Sequence, residues 1–168
     1  MRRTVLAWPA LVWPALVWPA LLWLVLLCLL PISAFAQSAS VQSTPVGRWR
    51  NIDDATGKPK AVIEIADAGN GSLSAKIVQI LDTKDGPNPL CDDCTGARHN
   101  KPILGMTIAW GLNPQGKIWA GGRILDPENG KEYSVKMTPV AGGTKLEVRG
   151  FLGVALLGRT QTWLRESP

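Results

Sequence analysis

The 168-residue sequence predicts an all-β fold, a single antiparallel β-barrel of about eight strands preceded by a helical signal segment, with a two-sheet β-sandwich as the alternative. Three observations carry this expectation. Short runs of alternating apolar and polar residues recur from Val46 onward, turn-forming sequences separate them at regular spacing, and no long helical periodicity follows residue 36. Alternation puts one face of each strand in a core and the other in water. Closing such a sheet on itself removes the unpaired edges it would otherwise present.

The first 36 residues stand apart. Met1-Arg2-Arg3 is a positive start, Val5 to Leu30 is an apolar run, and Ala34-Phe35-Ala36 precedes Gln37, the order of a secretory signal with a small-residue cleavage site. Within the run, Trp8-Pro9-Ala10-Leu11-Val12 recurs as Trp13-Pro14-Ala15-Leu16-Val17 and nearly again as Trp18-Pro19-Ala20-Leu21-Leu22. That five-residue period is too short for a solenoid unit and reads as a lengthened apolar region. The run is also long enough to span a bilayer, so a retained anchor competes with a cleaved signal. Pro31 and the small residues after it favour removal. A lipid anchor is not expected at Cys28, which sits inside the apolar run with Leu29 and Leu30 after it. The expected location is the periplasm or the medium, with membrane contact only through an uncleaved signal segment.

Three segments follow: a signal peptide over 1–36, a flexible leader over 37–45 that is small and polar, and a barrel domain over 46–166. About 130 residues remain after the signal, enough for one domain that buries roughly two-thirds of its unfolded surface. Losing Arg2 and Arg3 lowers the formal net charge of +5 to about +3, and the basic residues are scattered. Nucleic-acid binding is therefore not expected.

Strands are expected near 46–52, 59–67, 72–82, 117–126, 131–139, 144–150 and 158–165. Ala61, Ile63 and Ile65 alternate with Lys60 and Glu64. Tyr133, Val135 and Met137 alternate with Glu132, Ser134, Lys136 and Thr138, and Leu146 and Val148 alternate with Lys145, Glu147 and Arg149. Ile103 to Trp110 fits another strand or a short helix. Between the runs lie Asp54-Ala55-Thr56-Gly57, Gly69-Asn70-Gly71, Pro114-Gln115-Gly116, Asp126-Pro127-Glu128-Asn129-Gly130 and Ala141-Gly142-Gly143, all turn chemistry.

Gly47-Arg48-Trp49 opens the first strand and Arg165 closes the last. A first-strand tryptophan covered by a last-strand arginine resembles the closure of lipocalin-like barrels, where cation–π attraction contributes about 0.5–2 kcal/mol. Further motifs follow in order: Asp53-Asp54-x-Thr56-Gly57-Lys58, Cys91-x-x-Cys94-x-Gly96, Pro102-Ile103-x-Gly105-Met106, Trp119-x-Gly121-Gly122-x-Ile124-x-Asp126-Pro127-x-x-Gly130-Lys131-x-Tyr133, Arg149-Gly150-Phe151-x-Gly153, and Gly158-Arg159-Thr160-x-x-Trp163. On this series the chain resembles the exported bacterial family called domain of unknown function 2147 across nearly all of 46–165. The resemblance implies a small exported, lipocalin-like domain and no particular reaction.

Cys91 and Cys94 are expected to form a structural disulfide, because export places them in an oxidising compartment. A loop that short contributes only about 2 kcal/mol through chain entropy. Thiol exchange is a second reading, though the motif sits beside no βαβ unit, and the flanking Asp92 and Asp93 oppose a thiolate. Zinc is a third, with His99 as a further ligand, but the loop lacks a full set of four Cys or His. No metal or other cofactor is expected. His99 is the only histidine of the chain, and Asp53-Asp54 and Asp126 to Gly130 read as capped turns, so no catalytic residues are assigned.

The stretch from Arg149 to Arg159 is apolar and glycine-spaced where a surface hairpin should be polar. It fits a buried plug in the barrel, a lid on an apolar pocket, or an external contact surface. The function expected is a non-enzymatic binding or structural barrel of the cell envelope. Its partners would be a small apolar or amphipathic ligand or an envelope protein. A ligand with an anionic group would rest against Trp49, Trp119 and Phe151, with Arg149 or Arg159 paired to the charge. The alternatives are a thiol- or metal-linked role for the Cys91/Cys94 loop and, more distantly, an enzyme. A ligand-binding barrel should be hollow, a structural one filled.

Overall fold

The computed structural model describes residues 44–166. The expected signal segment, and the leader up to residue 43, lie outside them. Eight strands follow in order: β1 Gly47–Ile52, β2 Pro59–Asp67, β3 Leu73–Ile80, β4 Thr107–Gln115, β5 Ile118–Asp126, β6 Lys131–Val140, β7 Lys145–Phe151 and β8 Arg159–Arg165. Each pairs antiparallel with the next, and β8 returns to β1 through Trp49↔Arg165 and Arg50↔Leu164. The result is a closed up-and-down barrel. The two-sheet alternative does not form, because pairing continues around the whole circuit with no free edge. The ambiguous Ile103–Trp110 stretch divides: Met106 N–H donates to Ile103 O at 3.1 Å in a turn, and β4 begins at Thr107.

The seam between β1 and β8 is short, and side chains reinforce it. The Arg165 guanidinium lies 4.1 Å from the centre of the Trp49 ring. It also donates to the carbonyls of Gly143 at 2.5 Å, Val46 at 2.9 Å and Thr44 at 2.7 Å. The Trp49 indole N–H donates to Pro45 O at 2.7 Å. Thr44 and Pro45, the last residues of the expected leader, are thereby tied to the barrel. Gly47 permits this approach: its φ is +126°, and a Cβ there would lie 2.7 Å from Arg165 Nη1.

The interior is filled unevenly. At the seam end, Trp49, Trp163, Leu146, Met137, Leu112 and Leu73 are buried and pack into one cluster. These large side chains plug that end as a protein interior does. Toward the other end, Ala61, Val148 and Gly150 stand beside Ile63, Ile77, Ile108 and Ile124, with no tryptophan among the lining residues, and the barrel opens.

Candidate functional site at the open end

In an up-and-down barrel, alternate connections share an end. The open end receives the β1–β2 turn (53–58), the long β3–β4 connection (81–106), the β5–β6 turn (127–130) and the β7–β8 loop (152–158). Among the described residues, the opposite end holds the tight links at 68–72, 116–117 and 141–144 with the start of β1 and the end of β8.

The β3–β4 connection is held in place by several independent contacts. Cys91 and Cys94 sit at disulfide distance with their Cα atoms 5.3 Å apart, and both are buried. Cys91 N–H donates to Lys101 O at 2.9 Å and Ile103 N–H to Pro89 O at 2.9 Å. Arg98 lies over the Trp110 ring at 4.5 Å and pairs with Glu132 at 2.7 Å. The β5–β6 turn abuts the disulfide loop so closely that a Cβ on Gly130, whose φ is +66°, would collide with the carbonyl of Asp93. His99 directs its ring at the backbone, with Nδ1 3.1 Å from Cys94 O.

These connections surround a cavity of 1230 Å³ that runs into the barrel. Its interior is apolar, with Ile63, Ile77, Ile108, Ile124 and Val148, and Phe151, the last residue of β7, borders it near the rim. A small polar group enters from one side: Asn51 Nδ2 donates to Gln161 Oε1 at 3.2 Å, and the Trp163 indole donates to the same oxygen at 3.2 Å. Apolar walls with a few placed polar groups are the usual composition of a small-molecule pocket. A smaller hollow of 380 Å³ is formed almost wholly by one side of the β3–β4 connection and does not enter the barrel.

The rim is charged. Asp53 Oδ1 accepts from Thr56 N–H at 2.7 Å, Thr56 Oγ1 at 2.8 Å and Ala55 N–H at 3.1 Å. The hydrogen bonds from Thr56, side chain first and backbone second, hold the Asp53 carboxyl below the usual aspartate range. Lys60, at the start of β2, pairs with Asp53 at 3.6 Å and also with Glu128 of the β5–β6 turn. For Lys60, burial works against the charged form, but the hydrogen bond and charge of Glu128 and the charge of Asp53 outweigh it and its pKa is raised. In the ring of connections β1–β2 faces β5–β6, so the Lys60–Glu128 pair straps two opposed turns together. Asp126 caps its own turn, accepting from Glu128 N–H at 3.0 Å and Asn129 Nδ2 at 2.9 Å.

Of the five residues expected to hold a ligand, Phe151 and Arg159 line this cavity. Trp49 is buried in the plug under Arg165, and Trp119 lies near the start of β5, beside the hairpin of the opposite end. Arg149 is engaged elsewhere: it donates to Ala155 O at 2.7 Å, Leu156 O at 2.9 Å and Thr160 Oγ1 at 2.7 Å. It clasps the β7–β8 loop and presents no free fork to an anion. Arg159 is likewise taken, by Asp54 at 2.7 Å. Both arginines expected to anchor an anion thus already serve protein oxygens. The apolar loop does not plug the barrel either. It stands at the rim with Leu156 87% and Leu157 81% exposed, while Leu152, Leu157 and Gly158 border the cavity.

Asn51, Gln161 and the rim carboxylates were not among the expected site residues. The carboxylates read as turn caps, which several of them are, and alternation along β1 and β8 marks Asn51 and Gln161 only as inward polar residues. One signal was available: numbering the connections of a meander places 53–58, 81–106 and 127–130 at one end, and their carboxylates with them.

The family described as uncharacterized proteins conserved in bacteria, DUF2147, matches residues 47–165. Among solved structures, the fold is similar to that of protein HP1028 from the human pathogen Helicobacter pylori, which belongs to the lipocalin family. The TM-score is 0.63 with 20% identity, over 73% of this chain and 82% of that one. No curated protein matches the chain.

Proposed function

This chain belongs to the DUF2147 family, and from that premise and the shape of its open end we propose that it is an exported, non-enzymatic barrel that binds a small apolar or amphipathic ligand. The observation that carries the reading is the 1230 Å³ cavity, apolar at its floor and open at its rim, in a barrel whose other end is plugged. A barrel serving only as structure would have continued the packing of Trp49, Trp163 and Met137 through both ends. A lipocalin-like fold is consistent with small-ligand binding.

The polar groups at the mouth support binding over catalysis. Asp53 and Asp126 accept turn donors, Lys60 bridges two carboxylates, and Arg159 is paired with Asp54. None is poised as a general base beside a nucleophile. The thiol-exchange reading gains nothing from the geometry, because Cys91 and Cys94 are 0% and 3% exposed and exchange requires access to sulfur. Export is supported by the tripartite pattern of the first 36 residues and by the cysteine pair.

The test is a titration of the purified protein with a neutral apolar fluorophore such as N-phenyl-1-naphthylamine, alongside the variant Ala61→Phe, which adds a ring at a small cavity-lining position. Saturable binding that weakens at least tenfold in the variant, with the unfolding midpoint kept, is the expected result. Absence of saturable binding, or equal affinity in both proteins, overturns the proposal.

A further inference from the structure

We infer that the ligand of this cavity is a cationic amphiphile, a hydrocarbon body carrying an amine or quaternary ammonium group; the inference rests on the binding function proposed above. The chain as a whole is basic, with a formal net charge of +5. Its cavity is the reverse. Asp53, Asp82, Asp85, Asp92, Asp93, Asp126 and Glu128 border it, seven of the chain's 13 carboxylates, against Lys60, Lys84 and Arg159 of its 18 basic residues. At the opposite end carboxylates are fewer: Asp67 caps the 68–72 turn, and Glu166 is paired with Arg48 and Arg50. Charge is therefore segregated to the mouth, not spread with the composition.

The cations present do not neutralise it. Lys60 is shared by Asp53 and Glu128, Arg159 pairs with Asp54 and also feels the charges of Asp53 and Asp126, and Lys84 is a single charge against the seven carboxylates, so three cations leave the lining net negative. Among the described residues, Asp82, Asp85, Asp92 and Asp93 enter no ion pair. All four sit on the β3–β4 connection, which the closed strand order places across the mouth from the β7–β8 loop with its exposed Leu152 and Leu157. An acidic lip thus faces an apolar lip over an isoleucine-rich floor. Hydrocarbon satisfies the floor and the second lip, and a positive head satisfies the first, gaining Coulomb energy without displacing a protein cation. An anionic head has the same sign as those four charges and is repelled by them.

The test uses three probes with one tail, decyltrimethylammonium and decanoate below their micelle concentrations and decanol below its solubility limit, each titrated calorimetrically into the protein. The cation should bind about tenfold or more tighter than decanoate at low salt, since four charges lie within roughly a Debye length of the mouth. The gap should close at 1 M salt. The triple variant Asp85→Asn, Asp92→Asn, Asp93→Asn should lose that preference while holding decanol as before; these side chains are exposed and carry no hydrogen bond of the fold. Equal binding of all three probes, or tighter binding of decanoate, overturns the cationic assignment and leaves the pocket standing. A preference untouched by the triple variant overturns it too. If no probe binds, the binding function itself falls.

Discussion

Replacing Arg165 by alanine tests how the barrel is closed. The side chain contributes a cation–π contact with Trp49 and three hydrogen bonds from a charged donor to the carbonyls of Gly143, Val46 and Thr44. The bond to Gly143 is part-buried, and losing it should cost the most, about 1.5 kcal/mol. Those to Val46 and Thr44 are exposed, and water replaces them for about 0.5 kcal/mol each. The cation–π contact adds about 1 kcal/mol at a partly exposed site. The expected loss is therefore about 3.5 kcal/mol, a fall in melting temperature of roughly 10–17 °C for a domain of this size. Urea unfolding followed by tryptophan emission measures it, since Trp49 and Trp163 report directly on the plug. Arg165→Lys should recover less than half, because an ammonium cannot stack flat and reach three carbonyls together. A loss below about 1 kcal/mol for Arg165→Ala would show that the two backbone pairs between β1 and β8 hold the seam without the clasp, and the reasoning would be refuted.

Arg149→Ala should release the β7–β8 loop from its three hydrogen bonds and raise chymotryptic cleavage at Leu156 and Leu157 several-fold; an unchanged cleavage rate would mean that the loop holds its shape unaided. Gly130→Ala should cost roughly 2–4 kcal/mol, because the added carbon meets the Asp93 carbonyl at a positive φ, and a urea midpoint equal to wild type would contradict that contact. The lowered pKa of Asp53, caused first by the Thr56 hydrogen bonds, means that the unfolded chain binds this proton more readily than the folded one. Its stabilising contribution is then fully present above the ordinary aspartate range and is lost as pH falls through the lowered value. Asp53→Asn should accordingly flatten the fall in stability below about pH 4, and an acid limb as steep as wild type in urea midpoints measured across that range would exclude the linkage.

The uneven filling of the barrel connects stability to function. Packing that specifies the closed sheet is concentrated in the plug, around two tryptophans and the Arg165 clasp. The open end is held by different means, namely a disulfide loop, the Lys60–Glu128 strap and the Arg149 clasp, none of which occupies the interior. The cavity there opens to solvent at its rim, so it is not an empty void inside the packed plug.

Local residue order was enough to mark seven of the eight strands, the turns and an all-β class, while β4 and the choice of a closed barrel over a two-sheet sandwich waited on tertiary pairing. Period-two alternation in Lys131 to Val140 or Lys145 to Phe151 has one low-energy use, a sheet with one face buried, and Asp53 with Thr56 carries its turn in its own donors and acceptors. The pairing of Trp49 with Arg165 was legible through the resemblance to lipocalin-like closure, and the closed strand order brings the two together. What tertiary structure alone decided was which side chains share a space. Whether a barrel is filled depends on how inward residues from all eight strands meet at each level, and no single strand encodes that sum. The fate of a charged group depends on its neighbours too: Arg149 and Arg159 are plausible anion anchors as isolated residues, and the fold gives both to oxygens of the protein. The acidic mouth arose in the same way, from carboxylates far apart in the chain that meet because alternate connections of a closed meander share one end.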